Sequence, residues 1–204
     1  MPEPPHPQAP GVGSLDDAAI MEQSARDPET FAVLYDRHAA ALHRYVARRL
    51  GEGAADDIVA ETFLAAFRKR ARFDPATRDA RPWLYGIASN LISKHTRSEV
   101  RMLRAYARTG TDPVLTPSAV TPDDGILARV DSSAAAPELA RALATLSAGD
   151  REVLLLTAWA DLSYAEAATA LAIPVGTVRS RLNRARGKLR AALDGSIQSL
   201  HGVR

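Results

Sequence analysis

Residues 163–192 read SYAEAATALAIPVGTVRSRLNRARGKLRAA, and they carry the sharpest structural signal in the chain. Ser163 followed by Glu166 is a capping box, which predicts the start of a short helix. Residues 173–176 predict a turn, and Pro174 is well placed to open a second, longer helix. A short helix, a tight turn and a longer helix at this spacing predict a helix-turn-helix.

The second helix of this motif has two distinct faces when it is wound at about 100° per residue. Its apolar stripe consists of Val175, Val178, Leu182, Ala185, Leu189 and Leu193. The opposite face has Thr177, Ser180, Asn183, Arg184 and Gly187 at its centre, flanked by Arg179, Arg181, Lys188 and Arg190. Residues 179–190 contain six basic residues and no acidic one. Short polar groups and an arginine for base edges, with flanking cations for phosphates, are typical of a recognition helix.

The alternative interpretation of this helix is an amphipathic surface helix whose basic face is simply solvated. An isolated basic helix would lack the capped helix and the turn that precede this one. Those two features favour the helix-turn-helix.

The composition predicts a folded protein without cysteine chemistry. The chain has 204 residues, 46% of them hydrophobic, which is enough for one ordinary domain or two small ones. Since the chain has no cysteine, disulfides, thiolate zinc sites and cysteine nucleophiles are excluded. The first residues lack the pattern of a secretion signal, and no stretch approaches the roughly 18 apolar residues that span a bilayer. We therefore expect a cytoplasmic protein with no membrane insertion.

Charge is distributed unevenly along the chain, although the net charge is only +2. The net charge is −4 over residues 1–25, +6 over 26–108, −3 over 109–136 and +3 over 137–204. Two basic blocks separated by an acidic spacer predict two surfaces for a polyanion, joined by a segment that avoids it.

The amino-terminal half predicts a proline-rich disordered tail over residues 1–13, followed by four helices within residues 14–108. Ser14 and Asp27 are the expected caps of the first two helices. The second helix ends at Gly51 and Gly53, and its expected inward residues are Phe31, Leu34, Tyr35, Leu42, Tyr45, Val46 and Leu50. The third helix covers about residues 54–71, with Ile58, Val59, Phe63 and Phe67 facing inward. The fourth helix follows a polar loop that ends at Pro82.

The carboxy-terminal half predicts a linker and a second helical domain. Residues 109–136 contain Pro113, Pro117 and Pro122 without an apolar period, which indicates an acidic flexible linker. Residues 137–194 predict helices over about 138–146, 148–159, 164–172 and 174–193, and a tail follows over 195–204. No strand pattern appears in the sequence. The expected fold is all-α, with two small helical domains joined by the linker.

Both predicted domains resemble one known family. LSYAEAATALAIPVGTVRSRLNRAR, residues 162–186, resembles region 4 of sigma-70 family proteins, specifically the extracytoplasmic-function (ECF) group of RNA polymerase sigma factors. FAVLYDRHAAALHRYV, DDIVAETFLAAFR and RPWLYGIASNLISKH, which begin at residues 31, 56 and 81, resemble region 2 of the same group. The resemblance covers roughly residues 14–194, and the linker is too short to hold the region 3 domain of larger sigma factors.

The resemblance implies two contacts with promoter DNA. Region 4 would read the minus-thirty-five element as duplex, with Thr177, Arg179, Ser180, Asn183, Arg184 and Lys188 as the contacting residues. Region 2 would capture the minus-ten element in melted form, using the loop at residues 73–81 as a pocket for an extruded base. The residues expected there are Arg72, Phe73, Arg78, Arg81 and Asn90. Phe73 and Trp83 have packing in the core as their alternative role, and Asn90 has that of a polar surface residue.

The resemblance also implies partners. Asp57, Glu61, Leu64 and Phe67 would bind the coiled coil of the largest subunit of core RNA polymerase, and the flap of the polymerase would be a second contact. The acidic residues have an alternative role, since negative charge stabilises the positive end of the helix dipole. An anti-sigma factor is a further candidate partner.

Two other classes of function compete with this interpretation. A free-standing helix-turn-helix regulator would bind operator DNA by itself as a dimer, whereas a small sigma factor is expected to need core polymerase. An enzyme acting on nucleic acid has little support, because the five histidines show no metal-ligand spacing and no glycine-rich phosphate loop is present. We therefore expect no catalytic residues, no metal and no cofactor.

Overall fold

The computed structural model describes residues 15–109, 142–143 and 145–201. Every regular element in these ranges is helical, so the all-α prediction is confirmed. The predicted tail at residues 1–13, the linker from residue 110 onward and most of the helix predicted at 138–146 lie outside the described residues.

The amino-terminal bundle consists of α1 (Asp17–Gln23), α2 (Ala32–Leu50), α3 (Glu52–Lys69) and α4 (Arg81–Thr109). Asp16 caps α1 by accepting a hydrogen bond from the Ala19 N–H, a role that we expected of Ser14, which is not described. Asp27 caps as predicted, but the element that it opens is a short 3-10 helix, Pro28–Phe31, that leads into α2. Gly51, at a φ of 92°, separates α2 from α3, whereas Gly53 lies inside α3 and ends nothing.

The core of this bundle lies between α2, α3 and α4, with α1 packed against one end. Most of the predicted inward residues of α2 and α3 are buried. Tyr35 is the exception, because it is 49% exposed and reaches α3 only at its edge, where its ring lies 4.9 Å from that of Phe63. Phe67 is half-buried and packs edge-on against Phe31, with ring centroids 5.3 Å apart.

The carboxy-terminal module consists of α5 (Ala148–Ala158), α6 (Tyr164–Leu171) and α7 (Val175–His201). The predicted capping box is present: Ser163 Oγ accepts from the Glu166 N–H, and the Glu166 carboxylate accepts from the Ser163 N–H. Ala172 adopts a left-handed conformation with φ 51° and turns the chain from α6 into α7. The helix α7 extends beyond its predicted end at Leu193, because Gly195 weakens a helix without blocking it as proline would.

The two helical units pack against each other, chiefly α4 against α6. Gly86 in α4 lies so close to the Ala170 carbonyl that a Cβ atom there would be 2.4 Å from its oxygen. Arg49 Nη1 donates to the Glu152 carboxylate at 2.7 Å and to the Tyr45 hydroxyl at 2.8 Å. The Tyr45 hydroxyl in turn donates to Glu152 at 3.3 Å. A buried polar network therefore joins α2 to α5.

Candidate nucleic-acid interface

The helix α7 presents the predicted polar face to the surface and its apolar stripe to the module core. Val178, Leu182 and Ala185 are buried, and Val175 and Leu189 are half-buried. Of the six residues predicted to read the minus-thirty-five element, Thr177 is half-buried and the others are exposed; these are Arg179, Ser180, Asn183, Arg184 and Lys188. The helix therefore carries an exposed basic face on a buried apolar stripe, which is the geometry that a groove-binding helix requires.

Arg184 has a partner that the sequence did not indicate. Its Nη2 donates to Asp150 Oδ1 at 3.1 Å, although the two residues are 34 positions apart. Burial alone would raise the pKa of the Asp150 carboxyl, but hydrogen bonds with Arg184 and Ser147 hold this pKa below its ordinary value. Asp150 is consequently ionised at neutral pH and remains a permanent acceptor for Arg184.

The loop before α4 presents two of its predicted minus-ten residues to solvent. Arg72 is exposed at the end of the short 3-10 helix Arg70–Arg72, and Arg78 is exposed within the loop. Phe73 is only 8% exposed and packs edge-on against the half-buried Trp83, with ring centroids 5.5 Å apart. In this conformation Phe73 is a core residue and offers no face for stacking on a base.

The other two predicted minus-ten residues lie at the junction of the two helical units. Arg81 donates to the Ala160 carbonyl in the segment between α5 and α6, and its guanidinium lies 5.9 Å from the centre of the Tyr85 ring. Asn90 is exposed and lines a cleft of about 460 Å³, whose other lining residues include Gly149 and Arg181 of the carboxy-terminal module. The carboxy-terminal module thus flanks the residues of α4 that were predicted to meet melted DNA.

A second exposed surface, which we call the α3 face, carries the predicted polymerase-binding residues. Asp57, Glu61 and Leu64 are exposed at helical spacings of four and three, and Leu64 is 48% exposed. Phe67 lies at the edge of this face, where Arg70 stacks on its ring at 4.0 Å. Tyr35, which contacts the neighbour of Leu64 in α3, extends the apolar area. The sequence places Tyr35 in the apolar stripe of α2, and only the packing of α2 against α3 shows that its side chain is exposed.

The sequence also did not identify a carboxylate-centred cluster near the start of the chain. Asp17 Oδ1 accepts from Arg37 Nη1 at 2.8 Å, and Asp17 Oδ2 lies 2.7 Å from His38 Nε2 and accepts from the Ala80 N–H at 2.9 Å. Possible ligand atoms of Asp17, His38 and Asp79 come within 4.8 Å of one another. The Arg37 guanidinium already binds the Asp17 carboxylate, and its positive charge disfavours a metal cation at the same place. The cluster acts as a structural tie between α1, α2 and the loop.

Two family models match the chain, in the order of the two helical units. The model described as Sigma-70 region 2 matches residues 34–102, and the one described as Sigma-70, region 4 matches residues 137–189. The ECF RNA polymerase sigma factor SigL of Mycobacterium tuberculosis is 37% identical over 177 residues, which cover 86% of this chain and 96% of the relative. The chain belongs to the sigma-70 family, in its ECF group.

Other relatives agree with this sigma-factor assignment. The RNA polymerase sigma factor CnrH of Cupriavidus metallidurans is 35% identical over 186 residues, covering 89% of this chain and 96% of its own. A solved structure of CnrH in complex with the cytosolic domain of CnrY superposes with a TM-score of 0.58 at 31% identity, covering 88% of this chain and 97% of that one. RpoE of Bartonella quintana, solved with the anti-sigma factor NepR, shares the fold with a TM-score of 0.56 at 23% identity, over 80% and 96% of the two chains.

The family assignment agrees with the helical architecture of this sigma factor and disfavours the interpretation as a free-standing regulator. Proteins of this family regulate transcription. Among the helices that the structure describes, none has both the length and the apolarity needed to cross a membrane.

Proposed function

We propose that this sigma factor binds core RNA polymerase, reads the two elements of its promoters and promotes their melting, and that it catalyses no reaction itself. We assign residues 14–108 to region 2, 109–136 to the linker, 137–194 to region 4, and 1–13 to a tail. The tail predicted over 195–204 is helical up to His201, where α7 ends. The observation that carries the proposal is the exposed basic face of α7 combined, in one chain, with the acidic and apolar α3 face. One surface suits a polyanion, and the other suits a protein.

We propose that α7 reads the minus-thirty-five element through its exposed polar residues and Arg184, because arginine can donate two parallel hydrogen bonds to guanine. Arg72, Arg78, Arg81 and Asn90 would hold the melted minus-ten strand. Since Arg81 donates to Ala160 in the described arrangement, reading this element with Arg81 requires its side chain to separate from the segment between α5 and α6. Docking of each unit on polymerase would supply the free energy for that separation.

We propose that core polymerase contacts the α3 face. Asp57 and Glu61 supply negative charge beside the exposed Leu64, and an apolar centre with a charged rim is typical of a protein interface. Because we propose core polymerase as the partner, we also propose that the protein acts in the cytoplasm. The relative CnrH was solved in complex with the cytosolic domain of CnrY. RpoE of Bartonella quintana, which shares the fold, was solved with the anti-sigma factor NepR. On these likenesses we propose that a protein of the anti-sigma class binds the present chain as well.

Charge reversal on the α3 face tests the proposal. We expect Asp57→Lys with Glu61→Lys to reduce binding to purified core polymerase and run-off transcription in parallel, because the interface loses both charges. The matched control is Glu52→Lys with Asp56→Lys, an exposed pair at the same four-residue spacing that lies toward His43. The fold should stay intact in both variants, as circular dichroism would show.

Two outcomes would contradict the proposal. Wild-type protein that binds core polymerase without producing promoter-dependent transcripts would exclude the sigma-factor role, and specific duplex binding by the chain alone would support the free-standing regulator. Equal binding by the variant and its control would remove Asp57 and Glu61 from the interface.

A further inference from the structure

The first turn of α5 lies directly beneath two arginines of the α7 basic face. A Cβ atom at Gly149 would lie 3.0 Å from Arg181 Nη1, so the guanidinium of Arg181 packs closely over this glycine. Asp150, the next residue, accepts a hydrogen bond from Arg184 at 3.1 Å. Arg181 and Arg184 are three positions apart and therefore neighbours on one helix face. Two consecutive residues of α5 thus lie against two cations of α7, and one of them, Asp150, holds its arginine by a hydrogen bond.

The pair between Asp150 and Arg184 is asymmetric in its burial. Asp150 is 3% exposed, whereas the Arg184 side chain is 57% exposed. A buried carboxylate needs partners, and here Arg184 and Ser147 provide them. An exposed arginine has no such need, because water solvates it. A partly exposed ion pair contributes little to stability, so the main consequence of the contact is to orient the arginine.

We propose that Asp150 is a positioning residue that sets the sequence specificity of Arg184, an inference that rests on the proposed minus-thirty-five role of α7. A guanidinium has five N–H donors in a rigid fork, and Asp150 occupies one of them. The others stay available to a guanine edge. An arginine oriented before binding loses less side-chain freedom when it binds, and fixed geometry favours a bidentate base contact.

The proposal separates specificity from affinity. A phosphate accepts from an arginine at many angles, whereas the O6 and N7 atoms of guanine require one alignment. Without the Asp150 carboxylate, Arg184 gains freedom and the module loses a negative charge near the DNA. Binding to unrelated DNA should therefore stay constant or rise, while discrimination at the base pair read by Arg184 falls.

The test is a double-mutant cycle of Asp150→Asn, Arg184→Ala and the two combined. Each protein is assembled with core polymerase, and transcription is measured on promoters that carry every single-base change in the minus-thirty-five element. We expect Asp150→Asn to lower discrimination at one base pair by about tenfold. We expect the combined variant to resemble Arg184→Ala, because the effect of Asp150 is transmitted through that arginine.

Controls distinguish this role from a structural one. Asp161→Asn removes the same charge from an exposed position in the α5–α6 turn and should leave the profile unchanged. Asp150→Ser also removes the carboxylate, so it should reproduce the Asp150→Asn profile, and agreement between the two variants excludes a folding defect peculiar to one of them. The proposal would be overturned if the losses of discrimination in Asp150→Asn and Arg184→Ala multiplied in the combined variant. Unaltered discrimination in Asp150→Asn would overturn it as well. A wild-type protein insensitive to the minus-thirty-five sequence would instead overturn the proposed function on which it rests.

Discussion

Asp17 is the carboxylate at which three parts of the amino-terminal bundle meet. It connects α1 to α2 through Arg37 and His38, and to the loop before α4 through the Ala80 N–H. Burial would raise the pKa of this carboxyl, but the hydrogen bonds from His38, Ala80 and Arg37 lower it to about 2. A single residue in a helix of seven therefore contributes stability to the whole bundle.

Replacing Asp17 with asparagine tests this contribution. A depressed carboxyl pKa adds stability above the unfolded-state value of 3.8, and that stability is lost as pH falls through about 2. We expect Asp17→Asn to lower the free energy of unfolding at pH 7 by about 2 kcal/mol. In urea unfolding, the gap between variant and wild type should narrow as the pH is lowered from 5 toward 3. Glu22→Gln, an exposed change in the same helix, should have little effect, and a pH-independent gap for Asp17→Asn would contradict the explanation.

At the scale of elements, α6 is the helix whose existence depends most on its ends. It has only eight residues, and isolated helices shorter than about 12 residues are marginal. The capping box of Ser163 and Glu166 satisfies N–H groups at its start, and the left-handed Ala172 ends it. Hydrogen bonds from Ser163 hold the pKa of Glu166 below its ordinary value, so the box is formed at neutral pH.

Removing the cap should therefore destabilise the carboxy-terminal module. We expect Ser163→Ala to cost about 1 kcal/mol in urea unfolding of the full chain, because the Glu166 N–H loses its acceptor. The control is Thr169→Ala in the same helix, where the hydroxyl donates only to the Ala165 carbonyl. Alanine is the better helix former there, so the control should be neutral or slightly stabilising. An equal loss in both variants would show that the cap contributes nothing specific.

At the scale of the whole molecule, the two helical units meet along α4 and α6, and the junction includes residues proposed to bind DNA. The ion pair of Arg49 and Glu152 is largely buried, and the pKa of Glu152 is lowered by Arg49 even though burial would raise it. Gly86 also lies against the Ala170 carbonyl, where the absence of a side chain on α4 allows the two backbones to approach each other closely.

The Gly86→Ala variant should open this junction. The added Cβ would lie 2.4 Å from a backbone oxygen, a distance that forces the units apart, while alanine stabilises α4 itself. We expect small-angle X-ray scattering to show a larger radius of gyration than for wild type. Gly53→Ala is the matched control, because a Cβ atom at that α3 glycine meets nothing within 4 Å. An unchanged radius of gyration in Gly86→Ala would show that α6 shifts locally and the junction persists.

Local chemistry in the sequence determined the helices and their faces. The spacing of Val178, Leu182 and Ala185 specified the buried stripe of α7 because helical periodicity is a property of adjacent residues. The capping box at Ser163 and the cap at Asp27 were readable for the same reason, since each is complete within four residues. The family resemblance rested on such local strings, and it correctly indicated both regions.

Only the tertiary structure decided which distant residues became partners. Asp150 meets Arg184 across 34 positions, Arg49 meets Glu152 across 103, and Phe73 is buried against Trp83 although its loop was predicted to bind DNA. Local spacing could not predict the Asp150 and Glu152 contacts, because they depend on how whole helices pack, and a short-range pattern carries no information on that geometry. The same packing places Gly86 against Ala170, and it brings the carboxy-terminal module beside the residues of α4 that we propose for the minus-ten element.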